Sequence, residues 1–234
     1  MSAVPALNNM EIIPAIMPRN FNDLEEKAFL VKGLVTFVQI DIMDGKLTKN
    51  STWPYKNNSR EADDEIFDLI LKEERGLPCW EDLEYEIDLM VVDPENAVGE
   101  WLVAGASRIV IHVETITDWQ KILTELHELV EIGLAININT PVSALEPFIN
   151  DVDFIQCMGI KRIGFQGEPF DEGVIEKIQE IKKKWPEMIV SVDGGVSLEA
   201  APKLVSAGAT RLVAGSAIFE SGDVEAAIQS FIAL

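Results

Sequence analysis

Cysteine is almost missing from this chain: Cys79 and Cys157 are the only two in 234 residues. They fit neither a disulfide framework nor a paired-thiolate metal site, so a reducing, intracellular setting is expected. Basic residues are also scarce, 19 against 40 acidic ones, for a formal charge of -21. Such a surface repels nucleic acid and anionic membranes, and neither is an expected partner. If an acidic protein of this kind binds a phosphate, it must do so locally, with backbone N–H groups and a few placed cations. No apolar stretch reaches the ~18–20 residues that span a bilayer. The start Met1-Ser2-Ala3-Val4-Pro5 lacks the basic segment and apolar run of a secretory signal. The expectation is a soluble, cytoplasmic protein.

What the chain does have is apolar material, 47% of its residues, enough for a large core. Strand-like apolar runs fall near 11–16, 35–42, 84–90, 107–113, 132–138, 152–157, 188–192 and 210–214. Helical patterns follow them at 21–32, 61–74, 95–104, 118–130, 141–149, 171–184, 197–207 and 223–233. The strands show little alternation, as in Val35-Thr36-Phe37-Val38 and Arg108-Ile109-Val110-Ile111, which is expected when both faces are buried. Helix starts carry their usual signals: Asn22 or Asp23 for the first, Asp93-Pro94 for the third, Thr140-Pro141 for the fifth. Eight βα units close naturally into a (β/α)8 barrel, and residues 1–234 read as one such domain. An open doubly wound sheet is the weaker reading, because no dinucleotide-type glycine fingerprint follows the first strand. Two βα connections are long, Lys46 to Arg60 and Gly159 to Phe170, and loops of that length often serve as lids or binding loops. Trp53, Pro54 and Tyr55 on the first of them read as a lid or as a contact within a homo-oligomer.

In a barrel of this kind the chemistry sits at the C-terminal ends of the strands. Two acidic strand ends stand out there: Asp41 in Gln39-Ile40-Asp41-Ile42-Met43-Asp44-Gly45, and Asp193 in Val192-Asp193-Gly194-Gly195. They read either as solvated caps or as an acid/base pair facing a carbon between them, with pKa values raised by a dry barrel mouth. Gly194 and Gly195 follow strand seven, and Gly215 and Ser216 follow strand eight. That is where barrel enzymes often bind phosphate, glycine letting the backbone come close to an anion. Gly164 and Gly167, with the cations Lys161 and Arg162, could complete an anion site after strand six, or simply form a solvated loop. Met43, Met90 and Met158 each stand at a strand end, as a polarisable ceiling over a substrate or as core filler. Of the two histidines, His127 reads as a surface helix residue. His112 falls near the end of strand four and could face the site, but nothing in its neighbours makes it a ligand.

Taken together, the segments Ile13-Pro14-Ala15-Ile16, Asp41-Ile42-Met43-Asp44-Gly45, Asp88-Leu89-Met90-Val91, Ile111-His112-Val113-Glu114, Val192-Asp193-Gly194-Gly195-Val196 and Val213-Ala214-Gly215-Ser216-Ala217-Ile218-Phe219 resemble the ribulose-phosphate 3-epimerase family. Order and spacing match over roughly 11 to 220. The resemblance implies a (β/α)8 TIM barrel with the phosphate site of the ribulose-phosphate-binding barrels, acting on a small phosphorylated sugar. Two aspartates would move a proton on and off C3 from opposite faces through an enediolate, and they correspond to Asp41 and Asp193. The phosphate would be held by loops matching Gly164 to Gly167, Gly194-Gly195 and Gly215-Ser216, under methionines matching Met43, Met90 and Met158.

The resemblance breaks at several positions. Members of the family with a bound divalent metal use two histidines and two aspartates; here the histidine positions are Gln39 and Asp88. The family's serine near the first strand is Ala15, and the loop after strand six is altered. Gln39, Asp41, Asp88 and Asp193 would offer only oxygen, a set suited to Mg2+, Mn2+ or Ca2+ rather than Zn2+. The alternative is no metal, in which case three nearby carboxylates could not all ionise and at least one pKa would rise. The leading expectation is therefore an epimerase of a phosphorylated ketose. Two others stand beside it: a catalytically impaired sugar-phosphate-binding homologue, and a different reaction on the same scaffold. Against that last reading, the Asp-x-Lys-x-x-Asp pattern of related decarboxylases is missing, because Asp41-Ile42-Met43-Asp44 holds no lysine.

Overall fold

The computed structural model describes residues 10–55, 64–126, 129–165 and 167–234. Eight strands pair in parallel and in chain order, and the eighth returns to the first to close a barrel. They are β1 (Glu11–Ile16), β2 (Phe37–Met43), β3 (Glu84–Met90), β4 (Ala106–His112), β5 (Glu131–Ile136), β6 (Phe154–Met158), β7 (Ile189–Asp193) and β8 (Arg211–Ala214). Closure removes both sheet edges and buries both faces of every strand, which explains the unbroken apolar runs. Outside the barrel lie α1 (Phe21–Val31), α2 (Glu65–Leu71), α3 (Pro94–Val103), α4 (Trp119–Leu126), α5 (Gly173–Lys184), α6 (Ala201–Ala207), α7 (Ser216–Phe219) and α8 (Val224–Ile232). The main core is the layer between these helices and the outward faces of the strands. No helix among the described residues is long and apolar enough to cross a membrane.

Several local expectations need correction. The segment 141–149 is not an α-helix; it forms two short 3-10 turns, Val142–Leu145 and Ile149–Asp151. Pro141 and Pro147 bracket it, and a proline removes a backbone donor and restricts its predecessor, so a full α-helix cannot propagate there. Helix α1 is capped by Asn20, whose side chain accepts from the Asp23 backbone N–H, and not by Asn22 or Asp23. Asp23 instead sits buried in the first turn between Arg19 (2.8 Å) and Lys27 (3.2 Å). Residues 197–200 form a turn ahead of α6 rather than its first residues. Parts of the expected helices at 61–74 and 118–130 lie outside the described residues.

The barrel interior is small and mixed. Two apolar clusters face inward: Val110, Ala135, Phe154 and Met158, and Ile13, Ala15 and Val213. Gly133 makes room for the Phe154 ring, since a Cβ there would lie 2.4 Å from it. The remaining interior positions are polar and form two layers. At the floor, Arg108 reaches Glu11 (3.1 Å) and Glu131 (3.0 Å), while Arg211 reaches the same two carboxylates at 3.0 Å each. Glu86 lies above them, fully buried, 3.6 Å from Arg108. The second layer, towards the mouth, holds the candidate chemistry.

Candidate active site

Register places the mouth layer. Asp41 and Asp88 are direct neighbours on β2 and β3, and Asp193 ends β7 opposite Met158. One oxygen from each of Asp41, Asp88 and Asp193 lies within 4.8 Å of the others, and all three residues are buried. Gln39, two residues before Asp41 and on the same strand face, bridges the outer pair. Its Nε2 donates to Asp41 Oδ1 (2.7 Å) and to Asp193 Oδ2 (3.3 Å), while its Oε1 is buried with no partner. Asp88 is held at both oxygens, at Oδ1 by His112 Nε2 (3.2 Å) and at Oδ2 by Gln156 Nε2 (3.1 Å).

The electrostatics follow from crowding anions in a dry place. Burial pushes the Asp41 carboxyl well above its usual range, and the charges of Asp193 and Asp88 push it the same way. Burial, then Asp88, raises Asp193 to about 7. His112 is the compensating cation. Burial alone would lower its pKa, but the charge and hydrogen bond of Asp88, with Glu114 behind it, outweigh that and lift it to about 10. Glu114 Oε2 lies 3.8 Å from His112 Nδ1, too far for a hydrogen bond, so that contact is ionic. Burial works against the charge of Glu114 too, yet His112, the Thr140 hydroxyl and the Asn137 N–H hold it ionised, down to about 2.

Above the triad a cavity of about 60 Å³ opens between the βα loops. Asp41 and Asp193 line its base, with Met90 and Met158 beside them. Gly164, Gly167, Gly194, Gly195, Gly215 and Ser216 line the rest, so all six residues expected of a phosphate site come to one place. Gly194 and Gly195 adopt positive φ of 90° and 68°, and side chains there would collide with Ile160 and with the Phe170 backbone. Met43 is fully buried against Gly164 rather than in the cavity wall. Ala15 does line the cavity, and it adds no polar group there. Gln39 and Asp88 lie beneath the cavity lining, in contact with the carboxylates that form it.

On the long connection after β2, Trp53 and Tyr55 are 3% and 5% exposed, packed into the fold rather than standing out as a lid or subunit contact, and residues 56–60 of that connection lie outside the described residues. Trp53 packs edge-on against Phe21, Phe67 and Trp101, with ring centroids 5.4–6.1 Å away. The Thr52 hydroxyl donates to the Asp41 carbonyl (2.7 Å) and accepts from the Met43 N–H (2.9 Å), so this loop fixes the strand end that carries Asp41. Asn50 then donates to the Gly164 carbonyl (2.8 Å), joining it to the loop after β6. The expected cations Lys161 and Arg162 are already committed, to Asp171 (3.4 Å) and to Glu168.

The sequence signals leave His112 without a partner and miss Gln156 and Glu168. His112 is fully buried in the mouth layer against Asp88, a contact across two strands that no local spacing reveals. Gln156 occupies an otherwise apolar strand, and a lone amide in such a run is the one clue that it faces another polar group. Glu168 lines the cavity from the loop after β6, where nothing local sets it apart from other loop carboxylates. His127 lies outside the described residues.

Residues 11–219 match the family described as the ribulose-phosphate 3 epimerase family. The ribulose-phosphate 3-epimerase of Bacillus subtilis (strain 168) is 30% identical over 226 residues, covering 94% of this chain and 96% of the relative. The chloroplastic ribulose-5-phosphate-3-epimerase of Arabidopsis thaliana is 32% identical over 244 residues, covering 97% and 79%. Among solved structures, KGPDC from Streptococcus mutans in complex with D-R5P superposes with a TM-score of 0.68 at 14% identity, covering 95% of each chain, a likeness of fold. The chain belongs to the ribulose-phosphate 3-epimerase family.

Proposed function

We propose that this protein, read as one barrel domain, epimerises a phosphorylated ketose at C3, converting ribulose 5-phosphate to xylulose 5-phosphate and back. The observation that carries this reading is the cavity itself. Two buried carboxylates from distant strands, Asp41 and Asp193, open into the same space as six loop residues suited to a phosphate. One carboxylate takes the C3 proton from one face of the sugar, which leaves an enediolate. The other delivers a proton to the opposite face, so configuration inverts with no net change in composition. Such a pair must hold one proton between them. Burial and mutual repulsion favour that state, since both groups are raised above the ordinary carboxylate range. The Gln39 amide, bonded to both, fixes their orientation. Backbone N–H groups of the glycine-rich loops and Ser216 bind the phosphate, and Met90 and Met158 exclude water above the reacting carbon.

The same residues fit a divalent ion. The donors are oxygens only, three carboxylates within 4.8 Å and the unpartnered Gln39 Oε1, which suit Mg2+, Mn2+ or Ca2+ better than Zn2+. Asp41, Asp88 and Asp193 would hold it. When bound, such an ion acts as a Lewis acid that stabilises negative charge developing on the substrate oxygens. The His112 and Gln156 clamp orients Asp88 towards Asp41 and Asp193, where it would serve as one of the ligands.

No specific observation favours the binding-only reading. No lysine lines the cavity among the described residues, which leaves decarboxylation or aldol chemistry without its usual cation. A coupled assay of ribulose 5-phosphate conversion, with and without added Mg2+ or Mn2+, tests the proposal. Turnover is expected, and no rate above that of the Asp41→Asn variant would reject it.

A further inference from the structure

One member of the cavity wall runs against the function just assigned to it. Glu168 sits on the loop between β6 and α5, is mostly buried, and lines the same cavity as the phosphate-loop residues. A carboxylate there repels a phosphate dianion through a medium of reduced dielectric. A neighbouring cation offsets this. Arg162, six residues earlier on the same loop, grips Glu168 with two parallel hydrogen bonds, Nε to Oε2 at 3.1 Å and Nη2 to Oε1 at 2.5 Å. The guanidinium is 69% exposed while the carboxylate is 14% exposed, and it stands 5.3 Å from the Phe165 ring, another residue of the cavity wall. Arg162 thus approaches from solvent, while Glu168 faces inward.

We propose that the Arg162–Glu168 pair tunes the phosphate subsite: Glu168 opposes a phosphomonoester dianion, and Arg162 cancels that opposition. This rests on the reading of the glycine-rich loops as the phosphate site. Affinity for the phosphorylated end is then set by whether the pair is intact. Because Arg162 is exposed, salt weakens the pair and uncovers the Glu168 charge. Phosphate affinity should therefore fall with ionic strength more steeply than phosphate charge alone requires. A direct Arg162–phosphate contact is a different arrangement, and the test separates the two.

The test uses three variants of the full chain, Glu168→Gln, Arg162→Gln and the double substitution. Inorganic phosphate binding is measured by calorimetry, and KM and kcat are measured with ribulose 5-phosphate. Removing one partly buried charge near a dianion should change affinity about three- to tenfold. Glu168→Gln should tighten phosphate and lower KM by that factor. Arg162→Gln should weaken both, and the double variant should return close to Glu168→Gln with a shallower salt dependence. The effect should fall in KM rather than kcat. A neutral or weakening Glu168→Gln overturns the proposal, as does a double variant as weak as Arg162→Gln, which would make Arg162 a phosphate ligand. If phosphate binding responds as expected but ribulose 5-phosphate is not turned over, the epimerase reading fails and this one stands. If turnover is normal but KM and phosphate binding ignore the pair, this one alone fails.

Discussion

At the floor of the barrel two guanidinium groups stand among three carboxylates, Arg108 and Arg211 among Glu11, Glu86 and Glu131. At the mouth three carboxylates, Asp41, Asp88 and Asp193, share one imidazolium, His112, which of the three touches only Asp88. On the floor each arginine bridges Glu11 and Glu131 and stacks on an aromatic ring, Arg108 on Phe37 and Arg211 on Phe154. That arrangement neutralises charge where the strands begin and joins β1, β4, β5 and β8 across the barrel. At the mouth the charge is left in excess on the two carboxylates that line the cavity, with only a glutamine amide between them. The contrast follows the division of a barrel into a stabilising end and a reactive end. The same residue types serve rigidity when paired and proton transfer when left short of partners.

Substitutions can break this contrast. The largest effect is expected at the mouth. Asp41→Asn or Asp193→Asn should lower kcat by about 10^3-fold or more. Neither should lower the melting temperature, because each removes a like charge from a buried cluster. Next is the floor, where Arg108→Met should behave in the opposite way. It breaks the buried guanidinium's pairs with Glu11 and Glu131 and its stacking on Phe37, and should cost about 3 kcal/mol in urea unfolding, with kcat of the folded enzyme retained. A smaller effect is expected at Glu86 itself. Burial, only partly offset by Arg108 and Arg211, raises its folded pKa to about 8 from an ordinary 4.5. The neutral form is therefore the one the fold prefers. Its stability contribution is whole below about pH 4.5, declines as the pH rises, and is lost through pH 8. Glu86→Gln should match the wild type near pH 4.5 and gain on it progressively as the pH rises through 8 in denaturant titrations. The smallest effect concerns the ion. A cation beside Asp41 and Asp193 favours their ionised forms, so adding Mn2+ should move the acid limb of the kcat/KM profile down by about one pH unit or more. An unmoved limb would separate the carboxylate pair from metal binding.

Much of this was legible in the residues themselves. Apolar strand runs, helix starts and eight repeats of βα order lead to the barrel, and the acidic strand ends and glycine pairs lead to its mouth. These signals are local, set by burial of whole strands and by turn geometry. What was not legible depends on contacts across strands. His112 and Gln156 gain their meaning only because register sets them against Asp88, on β3. Trp53 looked like an exposed loop aromatic because nothing in Thr52-Trp53-Pro54-Tyr55 reveals that Phe21, Phe67 and Trp101 converge on it. Thr140-Pro141 reads as a helix start and the periodicity after it suggests a helix, yet Pro147 falls within that stretch and only short 3-10 turns form. Glu168 was hidden for the opposite reason: a loop glutamate is ordinary until a cavity forms against it.

Two carboxylates serve opposite faces of one carbon in this mechanism, and solvent deuterium reads this directly. Ribulose 5-phosphate incubated in D2O and followed at C3 by NMR should yield xylulose 5-phosphate carrying deuterium at that carbon. Asp41→Asn and Asp193→Asn should each stop epimerisation, while one of the two still washes deuterium into recovered ribulose 5-phosphate through its remaining base. Product without deuterium at C3, or full epimerisation by either variant, would contradict the two-carboxylate mechanism.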